Sequence, residues 1–366
     1  MSKKSHDSEG NKLRKKSKAL RYFVRILSAF LGLTVGFCLY WVYIFGGTFV
    51  SVPVVNKEDY STMDLSEGGS TTGGDVTSSW FDGGHTRLYY DPSHPIIEVK
   101  QKDPNIENIL VFGIDARGTD DYACRTDCMM ILSINKKDNS LKIISLMRDT
   151  AVYIGDTEDT LGTRLNKLNS AYHFGGVGEM INTINVIFDL DIQRFVMFDF
   201  GSAADTIDLV GGVEIDVKPE EIPYINQDLD ETRALDGNNS PYVTTSGLQV
   251  LDGHQAVGWS RIRYLDSDFV RASRQRTVAT AMMTKVNGMS YGQKLQLLND
   301  SAGVFETNMN TADIMRVALN CFACLENREE YRFPEDGTYT VQNDPWMMLI
   351  DFDEQKQRIN DYIWGE

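Results

Sequence analysis

Arginine and aspartate recur in this chain at spacings that bring their charges to one side. Asp115 and Arg117 follow an apolar run, Arg125 and Asp127 precede a second, and Arg148–Asp149 follow a third. In extended chain, residues two apart point the same way, so such a pair can present both charges to one cleft. A second group follows. Arg261 and Arg263 share a side if Trp259–Arg263 is extended. Arg271, Gln275, Val278 and Met282 fall at helical spacing 0, 4, 7, 11, with Arg274 beside them. The later part of that stripe is apolar and should face inward. Arginines carried inward with it need an anion, because a bare buried charge costs several kcal/mol.

Two partners meet that need. One is an internal network of Arg–Asp ion pairs without ligand. The other is a phosphate-bearing substrate, since planar guanidinium groups engage phosphate in bidentate fashion. A diphosphate with a divalent cation would also explain the carboxylates, because Asp115 and Asp127 are hard oxygen donors suited to Mg²⁺. No His-Glu-x-x-His and no Gly-Lys-Ser phosphate loop occurs, and the five histidines are scattered.

The elements that must position these residues suggest a single mixed-sheet α/β domain flanked by helices. Ile109–Ile114, Met129–Asn135 and Leu141–Met147 read as strands, the last two joined by a turn at 136–139. Met180, Ile181, Ile184, Ile187 and Phe188 form an inward helical stripe. Phe195–Phe200 reads as a strand, Ala203–Val210 as a helix stopped by two glycines, and Val213–Val217 as a strand. Helical patterns follow at Phe269–Asn287, Gly292–Asn299 (extending toward Thr307), Thr311–Glu326 and Asp351–Trp364.

The net charge of −16 hides a split. Residues 1–25 carry nine basic and two acidic residues, +7, and the remaining 341 carry −23. No charge interrupts Ile26–Val55, and about 20 apolar residues suffice to cross a bilayer. The expected organisation is a cytoplasmic basic tail (1–25), a transmembrane helix (26–46), an extracellular linker (47–105) and a catalytic domain (106–366). The flanking charges keep the N-terminus inside. The apolar run is too long for a cleaved leader, and no small-x-small site follows it, so it reads as an uncleaved signal-anchor of a single-pass cell-membrane protein. Net negative charge in the domain argues against nucleic acid as partner.

In order, the charged blocks resemble the LytR-CpsA-Psr family of Gram-positive cell-wall proteins. Gly-x-Asp-x-Arg stands at Gly113–Arg117, Arg-Thr-Asp at Arg125–Asp127 and Arg-Asp-Thr at Arg148–Thr150. Lys-x-Asn-x-Ala-Tyr-x-x-Gly-Gly stands at Lys167–Gly176, and a strand–helix–Gly-Gly-Val-Glu segment at Phe195–Glu214. Leu-x-Gly-x-x-Ala-x-x-x-x-Arg-x-Arg covers Leu251–Arg263, and Asp-x-x-Arg-x-x-Arg-Gln covers Asp268–Gln275. The likeness spans about residues 107–285, with a family-like ending near 331–363. Met147 stands where a proline is usual, Ser267 where a glycine is common, and Gly258–Ser260 is an unusual lead into the arginines.

The resemblance implies a phosphotransferase. It would move a glycopolymer or its precursor, such as teichoic acid or capsular polysaccharide, from a polyprenyl-pyrophosphate carrier to a peptidoglycan hydroxyl. It further implies Mg²⁺, with Mn²⁺ as substitute, held by Asp115 and Asp127. Arg148, Arg261, Arg263 and Arg271 would neutralise the leaving phosphate. Gln275, Arg274, Arg117 and Arg125 would bind or support the pyrophosphate. Asp149 would orient an arginine or take the acceptor proton. The isoprenoid tail calls for an apolar tunnel. Two alternatives use the same residues: a polyprenyl-pyrophosphate phosphohydrolase with water as acceptor, and a non-catalytic membrane-anchored protein that holds a lipid-linked sugar. The exported cysteines Cys124, Cys128, Cys321 and Cys324 leave disulfide pairing open.

Overall fold

The three apolar runs form the middle of a five-stranded sheet. In the computed structural model they are β3 (Ile106–Ile114), β4 (Thr126–Asn135) and β5 (Ser140–Leu146). β4 runs antiparallel to both neighbours. β8 (Arg194–Phe198) adds parallel to β3 on one side, and β11 (Arg328–Phe333) parallel to β5 on the other. The sheet order is β11-β5-β4-β3-β8. The structure describes residues 52, 54–56, 91, 93–114, 125–155, 164–263, 265–301 and 303–365, all within the unit Gly47–Glu366.

Continuous apolar runs imply strands covered on both faces, and these are. Leu110, Phe112, Ile114, Met129 and Ile131 join one core, while Ile109, Ile134, Leu141 and Ile143 are buried outside it. The first core is covered by α1 (Ser170–Phe188), whose predicted stripe is at most 2% exposed from Met180 to Phe188. α8 (Phe352–Trp364) packs beside α1, and α7 (Thr311–Cys324) lies against β4 and β5.

A second, smaller core gathers around the antiparallel ribbon of β9 (Val213–Val217) and β10 (Gly247–Leu251). Its helices are α2 (Phe200–Leu209), α3 (Ile222–Asp236), α4 (Gly253–Arg261) and α5 (Asp268–Gly288). α6 (Tyr291–Asp300) follows α5. Two further ribbons complete the fold: β6 (Ala151–Ile154) with β7 (Arg164–Lys167), and β12 (Tyr339–Asn343) with β13 (Trp346–Ile350).

The structure departs from the sequence reading in several places. The strand at 195 stops at Phe198, because Asp199 caps the helix that follows: its side chain accepts from Ser202 N. The helix near 292 ends at Asp300 and does not reach Thr307. Trp259–Arg263 is not extended as a whole: Trp259 to Arg261 close α4, and Ile262 ends the helix. The expected linker is partly structured. Val54–Val55 (β1) pairs in parallel with Ile96–Ile97 (β2), and Val52 and Ile96 are buried in the first core. The packed domain thus begins well before residue 106. The expected span at 26–46 lies outside the described residues, and no helix among those described is long and apolar enough to cross a membrane.

Candidate functional site

Strand geometry brings Asp127 and Arg148 together. β4 and β5 form one antiparallel hairpin, with Met130 opposite Ser145. Asp127, near the start of β4, and Arg148, just past the end of β5, therefore meet at the same sheet end. Arg148 Nη1 donates to Asp127 Oδ1 at 2.6 Å. α5 crosses this end. Arg271, Ala272 and Gln275 line one wall of a small pocket there, opposite Asp127 and Arg148, and Cys128, Met129, Met130, Leu146 and Met147 supply apolar contacts. Gln275 Nε2 donates to the Asp127 carbonyl at 3.5 Å. Arg271 is 2% exposed. From the segment after α4, Arg263 reaches the other Asp127 carboxylate oxygen.

These contacts set the electrostatics. Burial pushes the Asp127 carboxyl up, but the guanidinium groups of Arg263, Arg148 and Arg271 outweigh it and hold it below its ordinary 3.8. The Cys128 thiol is pushed up to about 12 by burial, so it stays protonated.

A second carboxylate props the first pair. Asp149 accepts from Arg148 Nε at 3.3 Å and from Lys167 Nζ at 2.6 Å. The register of β6 with β7 pairs Ala151 with Lys167 and so delivers that ammonium. Among the described residues, four cations, Arg148, Lys167, Arg263 and Arg271, gather about two carboxylates, Asp127 and Asp149. Such a concentration of cations at a sheet end suits an anionic ligand.

Not every expected residue joins. Arg261, in the last turn of α4, is turned toward α3: Nη1 meets Asp228 Oδ1 at 2.5 Å, and the guanidinium lies 4.0 Å from the Phe200 ring. Arg274, expected to bind pyrophosphate, points into the second core. It is 4% exposed, bonded to Glu221 Oε1 at 3.0 Å and to Asp266, with the Trp259 ring 5.8 Å away. Around the helix axis Gln275 and Ala272 lie about 40° and 100° to one side of Arg271 and Arg274 about 60° to the other, which takes it off the pocket face. Arg125 is exposed at the foot of β4. Asp115 and Arg117 lie outside the described residues, directly after Ile114, which pairs with Thr126.

Three partners escaped the sequence reading: Lys167, Glu221 and Asp228. Lys167 stood in a quoted motif but carried no role. Tyr224, Gln227, Asp228 and Glu231 fall at 0, 3, 4, 7, a polar helical stripe that was legible. Pro223 at the start of α3 and Gly237 in the left-handed region at its end (φ 72°) are standard boundary signals. Gly288–Gly292 has Gly-x-Ser-x-Gly spacing. It follows a helix, and Ser290 accepts from Gln293 N as the cap of α6, so it is no strand-to-helix nucleophile turn.

Among the described residues, no three His, Cys, Asp or Glu side chains come together. Asp127 nonetheless fits Mg²⁺: it is ionised, and each carboxylate oxygen keeps a lone pair beyond its arginine contact. Mg²⁺ typically takes one or two carboxylates, with water and substrate phosphate completing its shell. Cys128, Cys321 and Cys324 are free thiols.

Comparison with known proteins places the chain in a family. The polyisoprenyl-teichoic acid–peptidoglycan teichoic acid transferase TagU of Bacillus cereus is 30% identical over 246 residues, 66% of this chain and 72% of the relative. Its namesake from Bacillus mycoides is 31% identical over 236 residues, 63% and 69% of the two chains. Among solved structures, the LytR-CPS2A-psr family protein YwtF (TagT) with bound octaprenyl pyrophosphate lipid shares the fold. Its TM-score is 0.53 at 20% identity, covering 74% of this chain and 95% of that one. The model of the LytR_cpsA_psr family matches residues 83–357, and the chain belongs to that family.

Proposed function

We propose that the chain is a phosphotransferase that moves a glycopolymer, of the teichoic acid class, from a polyprenyl-pyrophosphate carrier to a peptidoglycan hydroxyl. The observation that carries this reading is the gathering of Arg148, Lys167, Arg263 and Arg271 at one sheet end around Asp127 and Asp149. Guanidinium groups converging on one pocket match the oxygens of a diphosphate. The names of the TagU relatives and the octaprenyl pyrophosphate bound in TagT point to the same chemistry.

The accepting hydroxyl oxygen would attack the phosphorus that bears the sugar. A new P–O bond forms, the P–O–P bridge breaks, polyprenyl phosphate leaves, and the hydroxyl proton passes to solvent water. Charge builds on the bridging oxygen as it departs. Arg148 and Arg271, fixed before the substrate arrives, stabilise it without reorganisation. Asp149, held by two cations, acts by aiming Arg148 rather than by taking a proton. Gln275 presents an amide to a phosphate oxygen. Asp127, with Asp115, would hold Mg²⁺, whose charge offsets that of the diphosphate. The charge split around residues 26–46 supports a single-pass anchor, with the catalytic domain on the outer face.

The test uses the full chain in detergent with a polyprenyl-pyrophosphate-linked oligosaccharide, with and without a peptidoglycan glycan fragment. Mass spectrometry of the products should show a phosphodiester adduct only when the fragment is present. Free phosphosaccharide in equal amount under both conditions would make the enzyme a hydrolase. An unchanged donor would make it a binding protein.

A further inference from the structure

The pocket beside Asp127 and Arg148 has a deeper end, and two polar groups there have no use in the fold. Ser145 precedes Arg148 along β5 and lies about 10 Å further into the sheet, at about 3.3 Å per residue. It is 3% exposed and lines the pocket, and its hydroxyl makes no hydrogen bond among the described residues. Register sets where it points. Ser145 stands opposite Met130 on β4 and opposite Arg332 on β11. Residues paired across strands share a face, and Met130 lines the same pocket, so Ser145 faces α5.

α5 brings the second group. Arg276 stands one turn beyond Ala272, which lines the pocket, so the two share a side of the helix. Arg276 Nη1 is buried and has no hydrogen-bond partner among the described residues. Its charge is felt at the Cys128 thiol on the pocket wall. Nearby Glu330 accepts from Thr280, one turn on along α5. Burial, with the like charge of Arg332, holds the Arg276 guanidinium below its ordinary value although Glu330 opposes this.

Buried polar groups are nearly always paired, so two left over at one place call for a ligand. Arg276 only donates and the Ser145 hydroxyl can donate, so the ligand atom is an anionic oxygen. An apolar group would leave both donors unmade. The reaction decides which phosphate supplies that oxygen. As the bridge breaks, the bridging oxygen keeps the electron pair of the broken P–O bond. The prenyl phosphate therefore departs with one more negative charge, while the hydroxyl proton goes to solvent water. The sugar-bearing phosphorus stays at the open sheet end, where an acceptor can reach it. The prenyl chain is apolar, and the inner wall is Met129, Met130, Leu146 and Met147. The prenyl-side phosphate is thus the inner one.

We infer that Ser145 Oγ and Arg276 Nη1 seat the departing prenyl phosphate, donating to its oxygens as the bridge breaks. The inference rests on the transferase reading. The test compares the full wild-type chain in detergent with Ser145→Ala and Arg276→Met. Binding is measured for farnesyl phosphate, with farnesol as the phosphate-free control. Transfer is followed with the lipid-linked oligosaccharide and the peptidoglycan fragment. Each variant should bind farnesyl phosphate roughly tenfold more weakly, as expected for the loss of one hydrogen bond to a charged group, and farnesol as wild type does. kcat should fall in step, with KM for the fragment unchanged. Ser145→Ala should melt no lower than wild type, because it removes a buried hydroxyl without a partner; a structural role would lower the melt. Wild-type affinity for farnesyl phosphate in both variants, as when an ordered water satisfies the two donors, overturns the inference and leaves the transferase reading intact. So does a wild type that transfers but binds farnesyl phosphate no better than farnesol. A wild type that forms no phosphodiester adduct overturns the transferase reading, and the leaving-group role falls with it.

Discussion

Asp127→Asn isolates the charge that holds the cationic cluster together. The substitution keeps size and shape but removes an anion that Arg148 and Arg263 share and Arg271 senses. The Arg148 contact is largely buried, with side chains 20% and 12% exposed. A hydrogen bond to a charged group in such a place contributes about 1.5–3 kcal/mol. Arg263 is 42% exposed, so solvent screening reduces its share to about 0.2–1 kcal/mol. Together the loss is about 2–4 kcal/mol. At roughly 2–4 °C per kcal/mol for a domain of this size, the melting temperature at pH 7 should fall by roughly 5–10 °C. The pH dependence has a definite sign. The folded-state pKa of Asp127 is depressed, so its contribution is fully present above its ordinary value of 3.8 and is lost as pH falls through the lower folded value. The gap between wild type and variant should therefore close below about pH 4. Inorganic pyrophosphate should raise the melting temperature of the variant at least as much as that of wild type, because the arginines lose a competing carboxylate. Thermal melts of the full chain in detergent from pH 3 to 8, with and without pyrophosphate, read all three effects. Equal melting temperatures at pH 7, or no response of either protein to pyrophosphate, would refute the charge-balance argument.

Three other outcomes follow from the same contacts. Arg274→Ala should destabilise by about 3–5 kcal/mol, because it leaves the buried Glu221 with only neutral donors, Trp259 Nε1 and the Lys218 amide; specific activity of the folded fraction, measured by active-site titration, should stay near wild type. Arg271→Ala should act on turnover: transfer per folded molecule should fall at least 100-fold, on the scale of removing one preorganised donor. Lys167→Ala frees one side of Asp149; transfer should fall roughly tenfold with little change in melting temperature, and Lys167→Arg should restore most of it.

Sheet and site were legible to different depths. β3, β4 and β5 stood out because a doubly covered strand is a continuous apolar run, and α1 because its stripe is regular. The meeting of Asp127 with Arg148 followed from a hairpin whose turn is four residues long. α3 was missed although Pro223 and Gly237 bracket it, because its buried face is only Ile225, Leu229 and Thr232 amid acidic residues. The roles of Arg261 and Arg274 could not be read locally. Their partners Asp228 and Glu221 lie 33 and 53 residues away, and no periodicity encodes a pairing at that distance. Arg274 shows the limit well: its spacing admits it to the arginine cluster, yet the rotation of α5 sends it to the other core.

β11 has a consequence for synthesis. It covers the edge of β5 along Leu141–Leu146, yet it comes from residues 328–333. A chain emerging N-terminus first must hold that edge open until nearly all of it has been delivered. An uncovered apolar strand edge is a template for pairing with another molecule. Nascent or C-terminally trimmed chains are thus the vulnerable forms. A fragment for crystallisation should keep the chain through Trp364, and a chain arrested before residue 328 would be the natural client of a holdase chaperone.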